Sequence, residues 1–125
     1  MTPALLALTA LAGGLGAVAR FLLDTLIRSR VGTAFPTGTV LINLTGSLLL
    51  GLVVGLADAG AVPDVLRTVV GTGFLGGYTT FSAASVETEA LVVARRPVAA
   101  IANGLVVPVA CVALAAAGLA LGSLA

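Results

Sequence analysis

The chain has 125 residues, of which 59% are apolar and 9% are charged, and its mean hydropathy is +1.21. A soluble domain is about 45–50% apolar and about 25% charged, so this composition excludes a soluble globular fold and predicts a multi-pass membrane protein. With a net charge of +1, no histidine and one cysteine, the sequence allows no internal disulfide. It also argues against nucleic-acid binding and against zinc, haem or iron–sulfur ligation.

Four apolar segments follow one another along the chain, each close to the length of about 20 residues that a spanning helix needs. The short connections hold the Pro, Asp and Arg residues that mark loops, so residues 1–125 form one transmembrane domain. We expect the first segment to be a spanning helix and not a signal peptide, because no basic stretch precedes its apolar run and the apolar segment continues through Gly13–Arg20. The predicted fold is an all-α membrane protein with transmembrane helices at residues 4–27, 38–57, 65–94 and 98–121.

The first segment contains an arginine at membrane depth, Arg20. At a helix centre an arginine costs about 2.5–3.5 kcal/mol on insertion scales. Asp24 lies one turn further along the same helix face, so an ion pair between the two is one interpretation. The other is that Arg20 attracts anions to a vestibule.

The second segment carries a polar row in which Thr39, Asn43 and Ser47 recur every fourth residue, and therefore lie on one helix face. The Asn43 amide either joins helices or donates hydrogen bonds to a passing solute. Two glycine pairs with the same spacing, Gly51/Gly55 and Gly118/Gly122, predict close helix–helix contacts in the second and fourth segments.

The third segment is unusually rich in glycine and ends its apolar run in a polar stretch. Gly76 and Gly77 are adjacent and are followed by Tyr78, Thr79 and Thr80. We predict that the helix is broken near Gly76–Thr80, leaving backbone groups free, as in the ion sites of transporters. The alternative is a continuous, glycine-flexible helix.

Two acidic residues, Glu87 and Glu89, lie toward the end of the third segment. One interpretation is that they form a solvated helix end, and the other is that they pair with Arg95 or Arg96. In the fourth segment Asn103 is the one strongly polar residue.

Loop charges predict the orientation in the cell membrane. The first and third loops lie on one side and hold four arginines, whereas the second loop region holds one, Arg67. The positive-inside rule therefore places the first and third loops in the cytoplasm and both termini outside. The four arginines are Arg28, Arg30, Arg95 and Arg96.

No residue set in this sequence suits an enzyme, since there is no histidine base, no phosphate-binding loop and no deep carboxylate pair. What the membrane segments do contain is a set of hydroxyl and amide donors. Such donors can replace the hydration shell of a small anion.

Three stretches resemble the signatures of one known family. They are Gly13–Ala17 with Arg20–Phe21, then Pro36 with Gly38–Thr39, Asn43 and Gly46–Ser47, and finally Gly73–Ser82 with Glu87. The chain is similar over its whole length to the CrcB/Fluc family of bacterial fluoride channels. The resemblance implies an antiparallel, dual-topology dimer with two narrow fluoride pores that export fluoride passively.

The resemblance also implies roles for individual residues. A structural sodium ion, which is not transported, would be held by the backbone carbonyls of Gly76 and Thr79. Phe81 would turn a ring edge toward fluoride, and Arg20 would lie near the pore entrance. The remaining residues implied to line the pore are Thr39, Asn43, Thr80, Ser82 and Asn103.

The chain departs from the family pattern at two pore positions: Ala84 stands where a second phenylalanine is usual, and Val107 where a serine is common. Together with the four-to-one loop charges, this suggests pairing with a paralogous subunit of opposite charge bias, with one pore weak or non-conducting. The alternative is a homodimer that tolerates Ala84. A four-helix drug–proton exporter would need a carboxylate buried in the first helix, where only Asp24 is found, close to Arg20.

Overall fold

A computed structural model describes all 125 residues, and the chain is helical throughout, with no strands. Three of the helices, α1, α2 and α5, are long and apolar enough to cross a membrane. The five helices are α1 (Pro3–Val31), α2 (Thr37–Asp58), α3 (residues 64–78), α4 (Phe81–Val93) and α5 (Pro97–Ser123).

The bounds of α1 follow from residues at its two ends. The Thr2 hydroxyl accepts the Leu5 N–H at 3.1 Å, and Pro3 occupies the first turn, where its missing N–H is harmless. The helix runs to Val31 rather than ending near residue 27, since Gly32, with φ at +58°, is the first residue that stops it.

Helices α2 and α5 pack backbone to backbone through the two predicted glycine pairs. A Cβ on Gly51 would overlap the Ala115 carbonyl, and one on Gly118 would overlap the Leu48 carbonyl. Gly55 and Gly122 face each other one turn further along. The predicted close contacts are confirmed, and both glycine pairs belong to the same contact.

A second close contact joins α1 to α3. A Cβ on Gly16 would overlap the Phe74 carbonyl, and one on Gly77 would overlap the Gly13 carbonyl. Glycine is needed at both positions because the neighbouring backbone occupies the space of a side chain. This contact fixes the end of α3 against the middle of α1.

The third predicted segment is divided, as expected from its glycines. Helix α3 has wider, π-helical turns over Arg67–Leu75 and ends at Tyr78. Thr79 and Thr80 are extended, and α4 begins at Phe81, where the Thr80 hydroxyl caps it by accepting the Ala83 N–H at 3.2 Å. The predicted break near Gly76–Thr80 is confirmed, and the continuous helix is wrong.

Few side chains are fully buried in the single chain. Ile42, Leu75 and Tyr78 form a small core beside the break. Most large apolar side chains of α1 and α5 are exposed instead, as expected for helices that face lipid or another protein in a membrane.

Candidate functional site

The extended segment between α3 and α4 is held by the side chain of Asn43 on α2. Its amide nitrogen donates to the Thr80 carbonyl at 2.8 Å, and its Oδ1 accepts the Thr80 N–H at 2.8 Å. Extended backbone offers both groups on one edge, so one amide satisfies both. An asparagine NH2 has two protons, and the second is left for another acceptor.

The break frees two backbone carbonyls. In a continuous helix the Gly76 carbonyl would accept the Thr80 N–H, which donates to Asn43 instead. Likewise, the Ala83 N–H that would bond the Thr79 carbonyl donates to the Thr80 hydroxyl. The two carbonyls that the family resemblance assigns to a cation have thus both lost their helical partners.

A groove of about 270 Å³ lies beside the break. Four of the predicted pore residues, Asn43, Thr80, Phe81 and Asn103, border it together with the predicted cation ligand Thr79. The other lining residues are Ser47, Leu50, Ala84, Val107, Pro108 and Cys111. Two residues of the polar row of α2, Asn43 and Ser47, therefore meet the break and α5 at one surface.

Phe81 is the first residue of α4, and its side chain is 85% exposed. It therefore packs on little of its own chain. Ala84 lies on the same groove wall, and its methyl group leaves the groove without a second aromatic ring. Val107 likewise gives this wall an apolar surface in place of a hydroxyl.

Asn103 is buried on the groove wall, with its NH2 group directed at α4. It donates to the Thr88 hydroxyl at 2.8 Å and to the Ala84 carbonyl at 3.3 Å. Both amide protons are thereby used within the chain, so Asn103 joins α5 to α4 and offers the groove only its oxygen.

Ser82 and Thr39 lie outside the groove lining. The exposed Ser82 hydroxyl is 3.3 Å from that of Thr80. Thr39 is buried and donates to Glu87 at 2.9 Å. Thr39 therefore connects α2 to α4 on the side of the first and third loops.

Arg20 contacts the carboxyl end of α3 rather than an acidic side chain. Its Nε donates to the Gly77 carbonyl at 3.4 Å, where a cation is favoured by the helix dipole. The interpretation of an Arg20–Asp24 ion pair is wrong, since Asp24 binds Arg28 at 2.9 Å, one turn further along. An ion pair stabilises a helix more when the acidic residue precedes the basic one, as Asp24 precedes Arg28.

Arg28 also binds Glu87 at 3.0 Å. The alternative of Arg95 or Arg96 as the partner of Glu87 is therefore wrong. Sequence reasoning missed Arg28, although its four-residue spacing from Asp24 was a usable signal. It also missed Thr88, whose bond to Asn103 has no signature in the sequence.

Comparison with known proteins gives concordant matches. A protein family described as "CrcB-like protein, Camphor Resistance (CrcB)" matches residues 7–119. A Leifsonia xyli protein named fluoride-specific ion channel FluC 1 is 49% identical over 100% of this chain and 91% of its own length. A Cutibacterium acnes protein named fluoride-specific ion channel FluC 2 is 52% identical over 90% of this chain and 93% of its own. A Geobacter protein named fluoride-specific ion channel FluC is 44% identical over 82% of this chain and 83% of its own length.

Proposed function

The chain belongs to the CrcB family, and from that membership we propose that it is a fluoride-specific ion channel through which cytoplasmic fluoride leaves the cell. The observation that carries the proposal is the 49% identity, over the full chain, to a protein named as such a channel. Channels are not enzymes, and nothing in the site calls for a chemical step. Export down the membrane potential would lower cytoplasmic fluoride and its toxicity.

The groove beside the break supplies the chemistry that a small anion needs. Fluoride holds its water tightly, so a pore has to offer hydrogen-bond donors at close range. The unused Asn43 proton and the Thr80 hydroxyl are such donors at the groove, and the exposed Ser82 hydroxyl lies outside it, 3.3 Å from that of Thr80. The exposed ring of Phe81 adds a positive edge, since the rim of an aromatic ring carries partial positive charge.

A single chain leaves this groove open, and we propose that a second chain in antiparallel orientation closes it. The extended backbone at Thr79 and Thr80 beside the exposed Phe81 supports this, since non-helical backbone at membrane depth has to be covered by protein or line a water-filled path. In this arrangement α3 and α4 together form the third of four membrane crossings. The break is then covered by protein at mid-membrane depth, as broken helices require.

A structural sodium ion fits the break. The Gly76 and Thr79 carbonyls are oxygen donors without helical partners, and hard cations prefer oxygen ligands. Two carbonyls from each chain of a dimer would surround one ion. Thermal unfolding in sodium compared with choline at equal ionic strength tests this: sodium should raise the midpoint, and equal midpoints would contradict the site.

The arginine distribution supports a fixed orientation with both termini outside. A chain with one orientation needs an oppositely inserted partner to form an antiparallel dimer. The second candidate function is therefore a non-conducting or half-active subunit paired with a paralogue, and it rests on Ala84 and Val107, which line the groove at the two positions that depart from the family pattern. Channel activity of the chain alone would exclude an obligate partner.

Growth of fluoride-sensitive bacteria tests the proposed function in cells. Expression of this chain should restore growth in fluoride medium. The Asn43→Ala variant should not restore growth. The Thr25→Ala control should restore it, because the Thr25 hydroxyl bonds only the Phe21 carbonyl of its own helix. Failure of the unaltered chain to restore growth, with the protein present in the membrane, would contradict a self-sufficient channel.

A further inference from the structure

The turn that ends α4 contains an arginine in an unusual backbone conformation. Arg95 has φ at +57°, and no other residue except glycine has a positive φ in this chain. The Arg95 N–H bonds the Val92 carbonyl and the Arg96 N–H bonds the Leu91 carbonyl, both at 3.0 Å. This is the Schellman pattern, in which the residue at the position of Arg95 is usually glycine.

The same pattern ends α2, where the chain does use glycine. The Gly60 N–H bonds the Ala57 carbonyl at 3.0 Å and the Ala61 N–H bonds the Leu56 carbonyl at 2.9 Å, with φ of Gly60 at +72°. A left-handed conformation is disfavoured for a residue that has a Cβ. Arg95 therefore occupies its position against the backbone preference, which points to a role for its side chain.

Arg95 and Arg96 have no ion-pair partner in the chain. The salt bridges involve Arg28 and Arg67 only. Both Arg95 and Arg96 are exposed at one end of the membrane helices. Arg96 also borders a pocket that contains Arg28 and Glu87, without pairing with the carboxylate.

Each of these arginines borders a mainly apolar groove beside Pro97. One groove has a volume of about 360 Å³ and the other about 410 Å³, and neither has an acidic lining residue. The side chains of Val92 and Val98 on their walls are 61% and 81% exposed. The first groove is lined by Arg96, Pro97, Val98, Ala99 and Ala102, and the second by Val92, Arg95, Pro97, Ala100 and Ile101.

We propose that this surface, Val92–Ala102, binds an anionic phospholipid, with its phosphate on Arg95 and Arg96 and its acyl chains in the two grooves. A guanidinium presents a planar fork of donors that matches a phosphate. Basic residues at the membrane end of a helix favour anionic headgroups. The apolar walls favour a lipid over free phosphate, because only a lipid has acyl chains that can contact them. The proposal does not depend on fluoride conduction.

The chain contains no tryptophan, so one introduced tryptophan reports on its own surroundings. Val98→Trp places the reporter in the first groove, and Leu124→Trp, at an 82% exposed position, places it at the opposite end of α5. The full-length variants are reconstituted with brominated phosphatidylglycerol or brominated phosphatidylcholine of identical acyl chains. Quenching of each reporter gives the relative affinity of the two lipids at that place.

At Val98→Trp the anionic lipid should be preferred about fivefold or more, the contribution of one well-placed arginine. At Leu124→Trp the two lipids should quench about equally, because the arginine at that end, Arg67, is paired with Asp58. Adding Arg95→Gly and Arg96→Gln to the Val98→Trp protein should remove the preference. Because glycine is the favoured residue at position 95 of this turn, Arg95→Gly should leave the midpoint of thermal unfolding unchanged or raise it.

Four results would overturn the proposal. The first is equal quenching by both lipids at Val98→Trp, and the second is a preference that survives the double arginine substitution. The third is loss of the preference in excess inorganic phosphate at matched ionic strength, which would show a free-anion site. The fourth is a tryptophan that neither lipid quenches, which would show that a protein covers this surface.

Discussion

Asn43 and Thr80 exchange two hydrogen bonds, both 2.8 Å long, so that one side-chain amide takes the place of a backbone partner at the helix break. The same amide keeps one proton free beside the groove. Asn43 thus joins α2 to the break, and its remaining proton leaves the proposed donation to a solute compatible with that contact.

Replacing Asn43 should therefore affect both stability and conduction. Asn43→Ala removes both bonds, and leaving the Thr80 backbone groups unpaired should lower the free energy of unfolding by about 1–3 kcal/mol. Asn43→Asp should also abolish fluoride flux, because a carboxylate cannot donate and repels the anion. Denaturation in mixed micelles and fluoride efflux measure the two effects, with Thr25→Ala as control. An Asn43→Ala protein as stable as the wild type would disprove the structural role.

How much of this site was predictable depends on the kind of interaction. The break was predictable because Gly76 and Gly77 precede a polar run, and the α2–α5 contact because Gly51/Gly55 and Gly118/Gly122 share a four-residue spacing. The bond from Asn103 to Thr88 was not predictable, since it depends on the rotational register of α5 against α4. The interpretation that Arg20 pairs with Asp24 was wrong because Arg20 and Arg28 are both four residues from Asp24, so helix spacing alone cannot choose between them.

The contact between α1 and α3 gives a matched pair of glycine substitutions. A Cβ at Gly16 would overlap the Phe74 carbonyl, whereas Gly14, two residues away, has no atom within 4 Å of such a Cβ. Gly16→Ala should destabilise the protein by about 1–3 kcal/mol through overpacking. Gly14→Ala should not destabilise it through any contact within the chain. Denaturation of both variants in the same detergent measures the difference in their free energies of unfolding. Equal stabilities would contradict this packing.

Thr88 tests the structural role assigned to Asn103. Thr88→Val keeps the shape but removes the hydroxyl that accepts the Asn103 amide. It should lower the free energy of unfolding by about 1–3 kcal/mol, the cost of leaving one N–H of the buried Asn103 amide without its acceptor. Thr88→Ser keeps the hydroxyl and should lie closer to the wild type. If the serine variant proves the less stable of the two, packing of the methyl group matters more than the hydrogen bond.

Phe81→Ile separates a pore-lining subunit from a supporting one. Phe81 is 85% exposed in the single chain, so its replacement should change the stability of the fold itself by no more than about 0.5 kcal/mol. Fluoride flux should nevertheless fall by about tenfold or more, because the loss of the ring edge weakens the anion site. Unchanged flux would mean that this subunit does not line a working pore.

Fluoride efflux from liposomes containing only this purified chain tests the central claim most directly. A fluoride electrode follows the anion, and chloride-loaded liposomes serve as the selectivity control. Rapid efflux of fluoride without chloride is the expected result, and it would also rule out an obligate paralogous partner. No fluoride efflux from folded protein, or chloride efflux at a similar rate, would contradict a fluoride-specific channel formed by this chain alone.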